Sequence, residues 1–334
     1  MRILVAGGAG YIGSHACKAL SRAGHHSIVI DDLSTGNEWA VRWGRLVRGN
    51  IGDREVVVRT LQEEKIDAVM HFAAKAYVGE SVERPREYFE NNVIHSLRLL
   101  DAMSAAGVRT IVFSSTCATY GEPQYLPIDE SHPQNPVNPY GDSKLFIEKA
   151  LRWYGKTYGL RWAALRYFNA AGADAEAEIG EAHDPEPHLI PLVIQAARGE
   201  RAEVSILGTD YATPDGTAIR DYIHVEDLAA AHILAIEHLV NEGESGAFNL
   251  GAGSGYSVRE VIAAVEKCSG RKVPIAEKDR RAGDPECLVA SAECARRILG
   301  WKPTHDLHSI VSSAWAWEER KLNYPPATPR MEKY

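Results

Sequence analysis

The chain has 334 residues, 45% of them hydrophobic and 25% charged, which is the composition of a folded globular protein long enough for two domains. Its 45 acidic residues outnumber its 37 basic residues, and the net charge of −8 argues against a nucleic-acid-binding protein. A small anionic ligand remains compatible with this balance, because a few local arginines or lysines are enough to bind one.

The number and spacing of the five cysteines and the length of the apolar runs indicate where in the cell the protein is located. The cysteines are odd in number and never spaced C-x-x-C, so neither a disulfide framework nor a zinc site is expected, and no metal is predicted. The first apolar run, Ile3–Ala6, is too short for a signal-peptide core, and no run approaches the roughly 18 apolar residues of a membrane span. We therefore expect a cytoplasmic protein with no membrane partner.

Short apolar runs alternate with amphipathic stretches through the first half of the chain. Strands are predicted at Ile3–Ala6, Ser27–Ile30, Leu46–Arg48, Ala68–Phe72, Thr110–Ser114 and Trp162–Arg166. Helices are predicted over Ser14–Ala23, after Asp53, from Pro85 (with Phe89, Val93, Leu97 and Leu100 at helical spacing) and after Pro139. This alternation predicts an α/β fold with a Rossmann-type doubly wound parallel sheet.

The regular alternation ends near Ala170. Residues 171–188 are rich in Ala, Glu, Pro and Gly and are predicted to form a long connection or lid. Beyond them we predict strands near Val204–Leu207 and Phe248–Leu250, and helices at Leu189–Arg198, Val225–Leu239, Ser257–Cys268, Ala292–Leu299 and Asp306–Lys321. We interpret residues 1–170 as the first domain and 171–334 as a smaller mixed α/β substrate domain, with residues 218–245 returning to the first.

Three glycines follow the first predicted strand and open the first predicted helix. Gly7, Gly10 and Gly13 permit a tight turn, the close approach of a pyrophosphate, and packing of the helix on the sheet. The second strand ends at Asp31, about 20 residues later, where a carboxylate accepts hydrogen bonds from an adenosine ribose. Asp32 follows instead of an arginine that would bind a 2′-phosphate, so NAD is favoured over NADP. The alternatives are a flexible turn for the three glycines and an ordinary acidic loop residue for Asp31.

Tyr140 and Lys144 lie four residues apart, on one face of the helix that begins at Pro139. A free tyrosine, with a pKa of about 10, is a poor base at neutral pH, but a nearby ammonium stabilises the phenolate. The pair can then remove a hydroxyl proton while a hydride leaves the same carbon for a nicotinamide. A surface cation–aromatic pair is the alternative.

A turn rich in Ser and Thr follows the fifth predicted strand. Ligands of open parallel sheets bind at the carboxyl ends of the strands. Thr116 in this turn is our candidate to hydrogen-bond the reacting oxygen and relay its proton to Tyr140. The alternative is a turn with no role in catalysis.

Five stretches are more specific in combination than any of these motifs alone. They are GGAGYIGSH near the N-terminus, HFAAKAYVGES at 71–81, FSSTCATYG at 113–121, NPYGDSK at 138–144 and GTDYATPDGTAIRDYIHVEDLA at 208–229. With LRYFNAAGA and RRAGDPECLVAS, they cover nearly the whole chain. Together they resemble the extended short-chain dehydrogenase/reductase superfamily and, within it, the UDP-glucose 4-epimerases.

The resemblance implies an isomerase that inverts C4 of a UDP-hexose, interconverting UDP-glucose and UDP-galactose with no net redox change. It implies that tightly bound NAD takes a hydride from C4 while Tyr140 takes the O4 proton, with Thr116 bridging. The 4-keto sugar then turns, and the hydride returns to its other face. Members are commonly homodimers, so the Pro85–Ala106 helix, or the last helix with Trp315 and Trp317, becomes a candidate dimer face, although a buried core is the more usual use of such residues.

Matched positions imply the cofactor contacts. Tyr11 and Ile12 would line the pyrophosphate, and Lys144 would also reach the nicotinamide ribose. Adenosine contacts are implied for Asp31, Asp32, Leu33, Ser34, Thr35 and Gly36, with Asn50 and Ile51 at the adenine. The remaining contacts are implied for Phe72, Ala73, Ala74, Lys75, Ala76, Asn91 and Phe168. Asn50 replaces a usual Asp, and Lys75 lies one position before the usual lysine.

The resemblance also implies the residues that bind the UDP-sugar. Besides Thr116 and Tyr140, these are Asn169, His188, Leu189, Arg220, Arg281 and Asp284. The two arginines suit a diphosphate because guanidinium groups bind phosphate oxygens in pairs, although surface or interdomain ion pairs are the alternative. Leu288 lies near the place where some members carry a bulky tyrosine that excludes N-acetyl sugars, which predicts tolerance of UDP-N-acetylhexosamines.

Other reactions on the same scaffold remain open. A 4,6-dehydratase needs an Asp-Glu pair after the catalytic threonine, where this chain has Cys117-Ala118. Epimerisation of another UDP-sugar (UDP-GlcNAc/GalNAc, UDP-xylose/arabinose or UDP-glucuronate) uses the same catalytic groups. A dehydrogenase with exchangeable NAD and an NAD-binding regulatory protein without turnover are the remaining alternatives.

Overall fold

The computed structural model describes residues 1–281, 283–321 and 324. Its central element is a seven-stranded sheet with strand order β11-β6-β5-β4-β1-β2-β3, in which every pairing is parallel. The strands are β1 (Arg2–Ala6), β2 (His26–Asp31), β3 (Arg45–Arg48), β4 (Ala68–His71), β5 (Thr110–Thr116), β6 (Arg161–Tyr167) and β11 (Gly246–Leu250). The doubly wound parallel sheet predicted from the sequence is confirmed.

Helices cover both faces of this sheet. They are α1 (Tyr11–Arg22), α2 (Arg54–Glu63), α3 (Val78–Glu83), α4 (Pro85–Tyr88), α5 (His95–Ala106), α6 (Pro139–Tyr158) and α8 (Val225–Val240). Helices α1 and α8 pack against the face that carries Ile3 and Val5, whereas α2, α5 and α6 pack against the face that carries Leu4 and Ala6. Because successive residues of a strand point to opposite faces and both faces are covered, β1 is apolar from Ile3 to Ala6.

Smaller sheets complete the second half of the chain. The parallel pairs are β7 (Asn169–Ala171) with β10 (Tyr222–His224), and β8 (Val204–Leu207) with β13 (Ile275–Lys278). A third sheet joins β9 (Ile219–Arg220) to β12 (Tyr256–Ser257) and β14 (Cys287–Leu288). Around a separate apolar core lie α7 (Leu189–Arg198), α9 (Val258–Ser269) and α11 (Leu307–Lys321), while α10 (Glu293–Leu299) packs near β11.

The chain crosses between these two parts more than once. Strand β11 forms an edge of the large sheet, and it lies just beyond the segment 218–245 that we expected to return. Residues 172–188 contain neither helix nor strand, but Ala173, Ile179 and Glu181 among them are buried, and the carbonyl of Glu181 accepts a 2.7 Å hydrogen bond from Trp317 Nε1. The division at residue 170 stays a prediction.

The helix predicted from Pro85 is interrupted. Residues Phe89–Ile94 form a π-helical turn between α4 and α5. A π turn contains one extra residue, so it rotates the side chains that follow. As a result Phe89 is exposed while Asn92 and Val93 are buried, which a single helical period does not predict.

Candidate active site

The glycine turn is built for close backbone packing. Gly7 has a φ of +81°, and a Cβ at this position would lie 2.5 Å from the backbone nitrogen of Ala73. A Cβ on Gly13 would overlap the carbonyl oxygen of Gly7. Helix α1 begins directly after Gly10, and no side chain among the described residues caps it. Its first N–H groups and its dipole therefore suit a pyrophosphate.

Asp31 connects the end of β2 to this turn. Its Oδ2 accepts a 3.0 Å hydrogen bond from the backbone of Ala9, and its Oδ1 accepts one of 2.9 Å from Leu33. Burial raises the pKa of Asp31, and these two N–H groups oppose that shift. Each carboxylate oxygen keeps a further lone pair, so a ribose hydroxyl can still bind there.

The neighbouring polar residues form one hydrogen-bonded cluster. Asp32 accepts hydrogen bonds from the backbone of Ser34 at 2.9 Å and from Asn50 Nδ2 at 2.8 Å. Asn50 Oδ1 in turn accepts from Gly52 at 2.7 Å, beside buried Ile51. The structure thus brings together the segments 31–36 and 50–51, which the resemblance assigned to adenosine.

The segment after β4 lies against the same turn. The backbone nitrogens of Phe72 and Ala73 both donate to the carbonyl of Ala6, at 2.8 and 3.0 Å. Lys75 is directed elsewhere, because its Nζ lies 2.5 Å from Glu87 Oε2. Phe168 is buried beside Tyr120 in a small separate cluster.

Asn92 is a residue that the sequence reasoning missed in favour of its neighbour Asn91. Its buried carboxamide accepts a 2.9 Å hydrogen bond from the Lys75 backbone and donates one of 2.9 Å to the Lys75 carbonyl and one of 3.1 Å to Ser143 Oγ. Within the described part of the chain, the Asn91 side chain forms one hydrogen bond, from its Nδ2 to Asn92 Oδ1 at 3.0 Å. Asn92 therefore joins the loop after β4 to helix α6. The only available signal was an Asn-Asn pair in an otherwise amphipathic helix.

Helix α6 carries the predicted catalytic pair. Asn138 caps the helix by accepting a 2.9 Å hydrogen bond from Gly141, and Pro139 occupies the first turn. Lys144 is buried and donates a 2.8 Å hydrogen bond to the carbonyl of Ser114, with its Nζ 5.9 Å from the centroid of the Tyr140 ring. The two side chains share one face of the helix, as predicted.

Thr116 ends β5 beside this pair. Its Oγ1 accepts a 3.1 Å hydrogen bond from the backbone of Ala118, which fixes the side chain. Burial raises the pKa of Tyr140 to about 12, and a hydrogen bond with Thr116 works against that rise. Burial lowers the pKa of Lys144 to about 7. The three residues therefore lie close enough for the Lys144 ammonium to affect the ionisation of Tyr140, and for Thr116 and Tyr140 to hydrogen-bond the same ligand hydroxyl.

The substrate candidates of the second half fall into two groups. Arg220 binds Asp284 Oδ1 through a 2.6 Å ion pair, and strand pairing places Leu288 opposite Arg220. Asn169 donates a 3.1 Å hydrogen bond to the carbonyl of Asp221, which lies between β9 and β10. The Arg220 guanidinium also opposes the burial that raises the pKa of Cys117 to about 12, so this group lies next to the turn that carries Thr116.

The second group surrounds His188, directly before Leu189 and α7. His188 Nδ1 lies 2.5 Å from Glu181 and 3.1 Å from Glu186. Burial favours its neutral ring, but the two carboxylates outweigh burial and raise the pKa of His188 to about 10. His183 in the same cluster meets the edge of the Tyr11 ring at 6.2 Å, so the cluster packs against the start of α1.

Arg281 is joined to the first group through its backbone, because its carbonyl accepts a 3.2 Å hydrogen bond from the backbone of Asp284. It is exposed, and its side chain forms no hydrogen bond or ion pair within residues 1–281, 283–321 and 324. Its role stays a prediction.

The comparisons with known proteins agree with this geometry. Residues 3–251 match the NAD dependent epimerase/dehydratase family. The chain belongs to this family. A UDP-glucose 4-epimerase of Rhizobium meliloti (strain 1021) is 53% identical over 96% of this chain and 97% of its own length.

Solved structures of similar proteins share the fold of this epimerase/dehydratase family member. The crystal structure of UDP-glucose 4-epimerase from Brucella ovis in complex with NAD is 51% identical, with a TM-score of 0.93 over 94% of this chain and 97% of that one. The enzyme from Bifidobacterium longum in complex with NAD+ and UDP is 39% identical, with a TM-score of 0.91 over 97% and 99%. No helix among the described residues is both long and apolar enough to cross a membrane.

Proposed function

We propose that this chain is an NAD-dependent UDP-glucose 4-epimerase, an isomerase that inverts C4 of a UDP-hexose with no net redox change. The observation that carries the proposal is the grouping of Tyr140, Lys144 and Thr116 at the carboxyl edge of the sheet, beside an uncapped helix start with a tight glycine turn. The 53% identity to a UDP-glucose 4-epimerase over nearly the whole chain supports the same reaction.

The residues present fit NAD. Gly7, Gly10 and Gly13 leave the start of α1 open to a pyrophosphate, and the Asp31 carboxylate faces the turn with lone pairs to spare. When bound, NAD supplies a hydride acceptor that is regenerated at the end of each turnover. The other implied cofactor contacts are proposed for Tyr11, Ile12, Asp32, Leu33, Ser34, Thr35, Gly36, Asn50, Ile51, Phe72, Ala73, Ala74, Ala76, Asn91, Lys144 and Phe168.

The catalytic side chains divide the proton chemistry between them. Tyr140 takes the proton of the sugar O4 hydroxyl and later returns it, and Thr116 holds the same oxygen by a hydrogen bond. Lys144 lies close enough to favour the phenolate form of Tyr140 by charge. The turn that carries Thr116 and helix α6 therefore act on one oxygen atom.

Substrate binding is proposed for the residues of the second half. Arg220 lies beside the turn that carries Thr116, and its guanidinium suits a diphosphate once the ion pair with Asp284 rearranges. His188 and Leu189 belong to the second group, in which the imidazole of His188 is cationic at neutral pH. Asn169, Arg281 and Asp284 complete the proposed set.

The preferred sugar is a separate proposal. Leu288 pairs with Arg220 across the β9–β14 sheet and is only partly buried, so it lies at the edge of the proposed substrate site. A leucine leaves more room than a tyrosine, which supports tolerance of UDP-N-acetylhexosamines. The alternative function, 4-epimerisation of another UDP-sugar such as UDP-xylose, uses the same catalytic residues.

The test is product analysis without added NAD. Purified protein is incubated with UDP-galactose, UDP-xylose and UDP-GlcNAc, and the sugars are separated by chromatography. UDP-glucose from the first substrate is the expected result, and epimerisation of UDP-GlcNAc would support the proposal for Leu288. Isomerisation of none of the three, or turnover only with external NAD and a net absorbance change at 340 nm, would overturn the proposed function.

We further propose a homodimer and a cytoplasmic location, in galactose metabolism or nucleotide-sugar supply. Helix α6 presents Phe146 and Trp153 to solvent with 50% and 64% exposure, and the adjoining α3 and π turn carry exposed Val82 and Phe89. We take these four side chains as one exposed apolar face, which is typical of a protein interface. All five cysteines are free, which supports a reducing compartment.

A further inference from the structure

Glu148 continues the catalytic face of α6. Tyr140, Lys144 and Glu148 are spaced by four residues, so each lies only about 40° around the helix from the one before. The Glu148 side chain is fully buried, with 0% exposure. A buried carboxylate next to a catalytic lysine needs partners, because burial of a lone charge is costly.

Both carboxylate oxygens of Glu148 accept hydrogen bonds from such partners. Arg166 of β6 binds Glu148 in a two-pronged ion pair, with Nε at 2.9 Å from Oε1 and a terminal nitrogen at 2.5 Å from Oε2. Ser115 Oγ donates to Oε1 at 2.5 Å, and Gln134 Nε2 donates to Oε2 at 3.3 Å. The geometry is that of a strong charge-assisted pair.

The network reaches the turn that carries Thr116. Arg166 also donates a 2.8 Å hydrogen bond to the Tyr120 hydroxyl, which donates one of 2.6 Å to Asn249 of β11. Consecutive residues at the end of β5 are thereby held by α6 and its partners: Ser114 by Lys144, and Ser115 by Glu148. Thr116 follows directly and faces Tyr140.

The charges around Lys144 come from several elements. Its own helix supplies Tyr140 and Glu148; β4 supplies His71, a neutral ring because burial lowers its pKa to about 3. From β6 come the Tyr167 hydroxyl, which hydrogen-bonds Ser114 Oγ, and Arg166, which pairs with Glu148; Glu130, from the loop before α6, interacts with Arg166, and burial raises its pKa. Burial lowers the pKa of Lys144 to about 7, and the Glu148 carboxylate is the group that opposes this shift.

We propose that Glu148 is a positioning residue of this active site, which fixes the Ser114–Thr116 end of β5 against α6 and balances the charge of Lys144. The inference rests on the proposed function, because it concerns the same catalytic pair. Glu148 touches neither the reacting atoms nor the proposed cofactor contacts, so it acts through Lys144 and Thr116.

The test compares Glu148→Gln with two other variants. Glu148→Gln keeps the size of the side chain but removes the charge, so the basic limb of the kcat–pH profile for UDP-galactose should move to lower pH by at least half a unit. Loss of alignment should lower kcat about 10- to 100-fold, while KM stays within about twofold. Ser115→Ala should lower kcat and leave the basic limb in place. Asp142→Asn, an exposed charge on the same helix, should change neither.

Bound NAD and the melting temperature are measured for each variant to show that it is folded. If Glu148→Gln does not fold, Glu148→Asp retains the charge and should show a lower kcat with an unshifted basic limb. An active wild type whose Glu148→Gln variant keeps the wild-type kcat or basic limb would overturn this inference alone. An inactive wild type would instead count against the proposed function.

Discussion

Burial affects the two ionisable residues of the catalytic helix in different ways. It raises the pKa of Tyr140 to about 12 and lowers the pKa of Lys144 from 10.5 to about 7, which disfavours the ammonium by about 5 kcal/mol. Both residues are therefore biased toward their neutral forms in the chain alone. An ionised pair, phenolate with ammonium, is favoured when each charge stabilises the other.

Tyr140→Phe tests whether the Tyr140 hydroxyl takes the O4 proton, because it removes only that oxygen. The variant keeps the ring and its packing but has no hydroxyl to take the O4 proton, so kcat should fall by about 10²- to 10⁴-fold. Bound NAD, measured after denaturation, should stay at the wild-type level, because the glycine turn and Asp31 are unchanged. Wild-type activity in this variant would show that another group takes the proton.

At the scale of the elements, the strands and helices of the large sheet were predictable and the connections between them were not. The hydrophobic period and the capping residues are set by neighbours in the sequence. The sequence therefore predicts β1, α1 and the start of α6 at Pro139. The π turn at Phe89–Ile94 depends on Asn92 finding partners in Lys75 and Ser143, which are remote in sequence. Glu148 was missed for the same reason, although its spacing from Lys144 was visible.

Strands β9, β12 and β14 contain two residues each and carry no periodicity. They nevertheless place Leu288 opposite Arg220 at the proposed substrate site. Their pairing is set by tertiary contacts, and propensity alone does not predict it. The family resemblance supplied these substrate candidates, while the structure supplied their partners.

Asn92→Ala tests the link between the loop after β4 and helix α6. It leaves the partly buried backbone N–H and carbonyl of Lys75 without this partner, at a cost of about 1–3 kcal/mol for each unpaired group, while Ser143 Oγ keeps its hydrogen bond to the Tyr140 carbonyl. We expect a melting temperature lower by several degrees and faster loss of bound NAD, both measured on the purified protein. Glu90→Ala, an exposed substitution in the same turn, is the control and should be neutral. Equal behaviour of the two variants would contradict a linking role for Asn92.

At the scale of the whole molecule, the two halves are joined by the ion pairs of one buried lysine as well as by the return of the chain to the sheet. Lys18 of α1 is 6% exposed and binds Asp174, Glu176 and Glu178 of the long connection at 2.6 to 2.8 Å. The connection is therefore fastened to the helix that starts at the glycine turn. Helix α1, which begins at the proposed NAD site, and the connection that leads to the proposed UDP-sugar residues His188 and Leu189 are therefore held together.

The exposed face of α6 makes a prediction at the same scale. A charge in place of Phe146 and of Trp153 should prevent burial of this face in an interface. The double variant Phe146→Glu/Trp153→Glu should therefore be a monomer, whereas the wild type should be a dimer. Light scattering after gel filtration measures both. Ile298→Glu changes an apolar residue on α10 that is 40% exposed and should leave the dimer intact. A monomeric wild type, or a double variant that stays dimeric, would contradict the proposed interface.

The most direct measurement of the proposed reaction follows the hydrogen on C4. UDP-galactose is incubated with the protein in D2O without added NAD, and the UDP-glucose formed is examined by proton NMR. If hydrogen leaves and returns inside the site while Tyr140 handles only the O4 proton, the product keeps its C4 hydrogen. Deuterium at C4 would mean that a proton was removed from carbon and exchanged with solvent, which would contradict the roles assigned to Tyr140, Lys144 and NAD.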